Sequence, residues 1–204
     1  MKKRQPNLRG LSSVARQINA IRWTAEIPTF DLMAENRMSD INEFALQQAE
    51  AAAARLWAFG SAPFPFANGA IIQEHVEMDV TETAIAFAIH VRRILDNNAI
   101  TTKFTLDEPF RHWTPAKGLA KVPDLRDALN RIVHATEFKV GFERLPDSAA
   151  KIDGGAIGVI YLRTKTDKRE EALIDVFALA SCFFHKVLPV VRPPIAPHRP
   201  QLVH

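Results

Sequence analysis

Apolar residues recur at helical spacing along five stretches of this chain and alternate with polar ones along a sixth. Leu11, Val14, Ile18 and Ile21 mark a short amphipathic helix with Arg9, Arg16 and Arg22 beside it, suited to a domain edge or an anionic surface. Residues 23–37 read as a connector, because Pro28 bars a continuing helix. Ser39 then offers an N-cap for a helix to Trp57, with Ile41, Phe44, Ala45, Gln48, Ala52 and Leu56 on one side. The prolines of 59–66 break it, and the aromatics there suit either stacking on bases or closing a core edge. Residues 71–80 fit a short strand or a further turn of helix. From Asp79 or Thr81 a third helix runs to Asn97 and Asn98. Only the strip Thr83, Ala86, His90, Arg93 and Asn97 escapes its apolar surface, which makes it the central helix.

Residues 99–121 are long for a plain connection, and 101–106 offers a strand. Phe110, Arg111, His112 and Trp113 mix aromatic and basic groups, a pairing that either stacks on nucleotides or anchors the loop. Pro123 or Asp124 opens the fourth helix, whose apolar stripe is Leu125, Ala128, Leu129, Ile132 and Val133. Asp127, Asn130, Arg131 and His134 fall at i, i+3, i+4 and i+7 and share the other side. Residues 138–143 alternate as a half-exposed strand, and 156–163 form a more buried one antiparallel to it. A charged turn over 164–170 leads into a last helix on Leu173, Phe177, Ala180 and Phe184, ending near Leu188. The prolines beyond it predict an extended tail.

The expected fold class is α+β, mainly α: a helical bundle with an inserted antiparallel β-hairpin. The basic helix and connector occupy 1–37, the α-rich domain 38–190 with its hairpin at about 137–164, and the tail 191–204. A length of 204 residues supports one sizeable core, and 47% hydrophobic with 24% charged residues is ordinary for a globular protein. The net charge of +3 permits an anionic partner without requiring one.

Composition also removes several chemistries. The single cysteine, Cys182, rules out an intrachain disulfide and a cysteine-based zinc site. His75, His90, His112, His134 and His185 are scattered, with no HExxH, so no metal and no cofactor is expected. There is no G-x-S-x-G for a serine hydrolase. The run Asp153-Gly154-Gly155 lacks the Lys-Ser or Lys-Thr of a phosphate loop and precedes a strand. With neither an apolar leader after the basic N-terminus nor a membrane-length apolar run, a cytoplasmic location without membrane contact is expected.

Two polar strips remain: His90 and Arg93 on the long helix, and Arg126, Asp127, Asn130, Arg131 and His134 on the short one. If these helices pack, imidazole and guanidinium groups meet at one edge of the body. That combination suits metal-free RNA cleavage, in which the 2′-hydroxyl attacks phosphorus while arginine stabilises the developing charge. The alternative is structural, with Asp127 paired to Arg131 and the histidines satisfying internal hydrogen bonds.

The stretch from Leu125 to His134, an Arg followed on the helix by polar residues and a His, resembles the HEPN superfamily. The resemblance covers residues 39–188 as an order of helices and centres on 125–135. It implies a homodimer that is either a metal-independent endoribonuclease of toxin–antitoxin or phage-defence systems, or an inactive relative binding RNA, nucleotide or protein. His134 would then be the general acid/base, Arg126 or Arg131 the phosphate clamp and Asn130 an orienting group. Asp127, His90, Arg93, Arg111, His112 and Trp113 would contribute binding contacts. The family pattern spaces Arg and His by four to six residues; Arg126 and His134 have seven between them, placing them roughly 80° apart around a helix. A non-catalytic regulatory or protein-interaction module is the competing reading.

Overall fold

A computed structural model describes residues 34–66, 69–107, 110–115 and 117–192. The expected basic helix, the connector through residue 33 and the tail from 193 lie outside the described residues. Helix α1 (Ala34–Ser61) starts before Ser39 and runs past Trp57. Its buried side is Ala45, Leu46, Ala49, Ala52, Ala53 and Leu56, whereas Ile41 and Phe44 of the expected stripe are exposed. The alanines carry so little bulk that the helix can lie close to its neighbours. At its end, Gly60 meets the body of Phe177 so closely that a Cβ would sit 2.9 Å from the Phe177 Cβ.

Helix α2 (Gly69–Asn97) begins well before Asp79, so the stretch open to strand or helix is helix. Val80, Ala84, Phe87, Ala88 and Val91 are wholly buried along it. It ends in a Schellman turn: Ile100 N–H donates to Leu95 O at 2.9 Å and Ala99 N–H to Asp96 O at 3.1 Å. Ala99 sits there at φ 50°, left-handed backbone that glycine adopts without its Cβ penalty. Ala99→Gly is therefore expected to stabilise the fold by about 0.5–1 kcal/mol, the relieved strain exceeding the added freedom of the unfolded chain. A raised midpoint of urea unfolding with unchanged slope is the measurement.

Among the described residues five strands form one open sheet: β1 (Phe64–Pro65), β2 (Ala120–Lys121), β3 (Glu137–Leu145), β4 (Ala156–Thr166) and β5 (Arg169–Asp175). Strands β3 and β4 are antiparallel from Glu137↔Lys165 to Leu145↔Ala156. Strand β4 continues through the expected charged turn to Thr166 and returns after Asp167 and Lys168, with Thr166 opposite Arg169. The sheet thus exceeds the expected hairpin, with β1 beside the start of β4 and β2 running parallel to β5.

Leu173, expected on the final helix, lies in β5. It packs on one sheet face against Trp113 and Ile160, while Ile174 enters the main core on the other. Two buried faces erase the alternation that would have announced a strand. Helix α4 (Val176–Cys182) starts where Asp175 accepts the Ala178 N–H at 2.8 Å. A π-helical segment (Phe183–Val187) and helix α5 (Leu188–Val191) continue it. Pro189 is accommodated because the first turn of α5 needs no donor from it.

Only a single bridge, Thr105↔Asp124, remains of the strand expected over 101–106. The aromatic-basic stretch closes the outer sheet face. Trp113 is 8% exposed, with Tyr161 at 5.1 Å on its ring and the Lys121 Nζ 3.8 Å above it. Its indole N–H donates to Asp175 Oδ2 at 2.6 Å. Arg111 donates to Ser61 O at 2.9 Å. Trp113 is packed as a loop anchor and offers no open ring face to a base, whereas Phe110 is exposed.

Candidate functional site

Helix α3 (Leu125–Val133) is fixed at its start by Asp124, whose side chain accepts the Asp127 N–H at 2.9 Å. Leu125, Ala128, Leu129 and Ile132 are buried, which turns Asn130 and Arg131 outward; Val133, expected in the stripe, is exposed. His134 caps the C-terminus, its N–H donating to Asn130 O at 3.1 Å. Its imidazole is exposed, with Nε2 lying 3.4 Å from Nη1 of Arg92.

Arg131 is the most constrained cation here, only 14% exposed. Its Nε donates to Asp127 Oδ2 at 3.3 Å and its Nη1 to Glu170 O at 2.9 Å. Arg169 contacts the same Asp127 carboxylate from β5. One carboxylate therefore holds two guanidiniums from different elements, leaving one excess positive charge at their junction.

A cleft of about 380 Å³ opens beside this junction. Arg92, Asn130, Arg131 and His134 line its helical wall. The β4–β5 turn supplies the other wall, with Thr166, Asp167, Lys168 and Arg169. With Asp127 set against Arg131 and Arg169, and Asp96 beside Arg92, the cations Arg92, Arg131, Lys168 and Arg169 still exceed the nearby carboxylates including the lining Asp167, so the cleft carries a small positive excess that attracts anions.

The site differs from the expected constellation in its membership. Arg126 turns away, donating to Asp96 Oδ1 at 2.7 Å and to Ile100 O at 2.8 Å, where it helps close the end of α2. This is the angular offset anticipated from its spacing to His134. His90 and Arg93 do not line the cleft. The His90 ring meets the edge of Phe44 at 6.1 Å, and its Nδ1 is buried without a hydrogen-bond partner. Burial, helped by the neighbouring Arg93 charge, holds His90 below the ordinary imidazole pKa. Arg111, His112 and Trp113 are also absent from the cleft lining.

Arg92 stands one position before Arg93 and so outside the expected strip of Thr83, Ala86, His90, Arg93 and Asn97. Its pairing with Asp96 at i+4, 3.7 Å apart, was the available local signal. The turn residues carried no such signal, since their place depends on β5 folding back. Among the described residues no cluster of His, Cys, Asp or Glu is arranged to hold a metal ion, and no helix is long and apolar enough to cross a membrane. Cys182 is buried. Comparison with family models, curated proteins and solved structures finds no match.

Proposed function

We propose that the cleft between α3 and the β4–β5 turn binds RNA through its phosphates. The observation that carries this reading is the convergence of Arg131, Arg169, Lys168 and Arg92 on one open cavity, with Arg131 held in place by Asp127 and the Glu170 carbonyl. A guanidinium already fixed by its neighbours loses little freedom when it engages a phosphate oxygen. On this reading the HEPN-like resemblance of residues 125–134 keeps Arg131 and His134 at the cleft, while Arg126 serves the fold.

Binding of labelled RNA by the full chain in EDTA tests the proposal. Arg131→Ala is expected to weaken binding about tenfold or more, the worth of one charge-assisted contact. Equal affinity of wild type and variant would remove the cleft from RNA binding. The approach of His134 to Arg92 favours a second reading, metal-independent cleavage with His134 as general acid/base. Cleavage that survives chelation and disappears in His134→Ala is its expected result; intact RNA with the wild type leaves binding alone.

A further inference from the structure

Helix α2 carries an apolar stripe on its outer side. Ile71, Met78, Ile85 and Ile89 are 39–68% exposed, although Val80, Ala84, Phe87, Ala88 and Val91 of the same helix are wholly buried. At 100° per residue the four exposed side chains fall within about 40° of one another. Steps of seven from Ile71 to Met78 to Ile85, then four to Ile89, match the seam of a two-helix coiled coil. Beside it on α1, Phe44 is also exposed, set against the edge of His90. A helix apolar both inside and along an outer stripe has a second surface to bury.

The charges along the stripe select what covers it. Glu74 lies towards its N-terminal end and Arg93 towards its C-terminal end; both are exposed and, among the described residues, neither is paired within the chain. A second α2 laid antiparallel, with the two-fold axis level with Thr83 and Ala84, sets Glu74 of each copy opposite Arg93 of the other. The same register brings Met78 opposite Ile89 and holds Ile85 close to its twin across the axis. Glu82, nearest the midpoint, lines the groove towards α1 together with Arg55, at the edge of the seam. A parallel pair would instead set Glu74 against Glu74 and Arg93 against Arg93, and like charges repel. The stripe is therefore complementary to itself in one orientation, as a two-fold interface requires.

We infer that the outer side of α2 is a homodimer interface, formed antiparallel through Met78, Ile85 and Ile89 with reciprocal Glu74–Arg93 pairs at its ends. From Glu74 to Arg93 the seam runs about 28 Å. None of these side chains lines the cationic cleft, so the dimer and RNA binding stand or fall separately.

Sedimentation equilibrium of the full chain across the micromolar range is expected to give twice the monomer mass. Met78→Glu places an unpaired charge in the seam and should raise the dimer dissociation constant about a hundredfold or more. Met78 is more than half exposed in the single chain, so circular dichroism of this variant should match the wild type. Glu74→Arg or Arg93→Glu alone should weaken the dimer about fivefold or more, and the two together should restore it. Mild oxidation of a variant carrying both Met78→Cys and Ile89→Cys should lock a covalent dimer. Met78→Cys alone should not, because the twin positions lie about 16 Å apart along the antiparallel pair. A chain that stays monomeric overturns the interface; if Met78→Cys then also resists alkylation, another part of the same chain covers the stripe. A dimer that survives Met78→Glu puts the contact elsewhere and overturns it equally. Failure of the double charge exchange to restore the dimer, or ready cross-linking through Met78→Cys alone, overturns the antiparallel register.

Discussion

Phe183→Ala is expected to destabilise the protein by about 3–5 kcal/mol, the loss typical of truncating a large side chain in a packed core. Phe183 is fully buried, as is Phe87, whose ring it meets edge-on at 5.8 Å and 79°. It also touches the Phe184 ring at 5.5 Å, and Phe184 in turn faces Trp57 at 6.1 Å. This aromatic chain joins α2, the π-helical segment and α1, so the truncation loosens three elements at once. Alanine at this position removes the ring while the surrounding helices can only partly close the gap. Urea unfolding followed by circular dichroism gives the magnitude. A double-mutant cycle with Phe87→Ala should add a coupling of about 0.5–1.5 kcal/mol from the edge-on pair. A loss below about 1 kcal/mol would mean that Phe183 does not fill the core as described.

Asp175→Ala is expected to cost about 2–5 kcal/mol, from two separate losses. Helix α4 loses its N-cap, the 2.8 Å acceptance of the Ala178 N–H, worth about 1–2 kcal/mol. Trp113 loses the acceptor of its indole N–H at 2.6 Å and is left with a buried donor, a further cost of about 1–3 kcal/mol. Asp175→Asn separates the two. Its carbonyl can cap the helix or accept from Trp113, while its amide presents a donor where the other bond needs an acceptor. An intermediate loss is expected. Retention of full stability by Asp175→Ala would show that neither bond matters to the fold.

The same residue has a pH signature with a definite sign. Burial pushes the Asp175 carboxyl up, against the lowering effects of its hydrogen bonds from Trp113 and Ala178 and of the nearby Lys121 charge. A raised carboxyl means that the folded state holds the proton more tightly than the unfolded chain. Its contribution therefore falls as pH rises from the unfolded value of about 4 through the folded one, then levels off. The penalty of Asp175→Ala should accordingly be larger near pH 4 than at neutrality. The exposed carboxylates Asp107, beside Lys186, and Glu171, beside Arg163, are shifted the opposite way. Their titration is common to wild type and variant, so the difference between the two unfolding curves isolates Asp175.

What the sequence determined by itself was local. A start for α3 at Pro123 or Asp124, the buried Leu125, Ala128, Leu129 and Ile132 of its stripe (though not Val133), and the Asp127–Arg131 pair were legible, because each lies within four or so residues along one helix. The end of α2 at Asn97 and the antiparallel pairing of β3 with β4 were legible for the same reason, from a cap and an alternation. Tertiary structure alone decided that Leu173 sits in a strand, since its environment comes from Trp113 and Ile160, distant in the chain. It also sent Arg126 to Asp96 and Ile100, drew Arg92 to His134, and brought the Thr166–Arg169 turn to face α3. Helical periodicity states which residues share a side, but the partner that side meets is chosen by packing between remote segments.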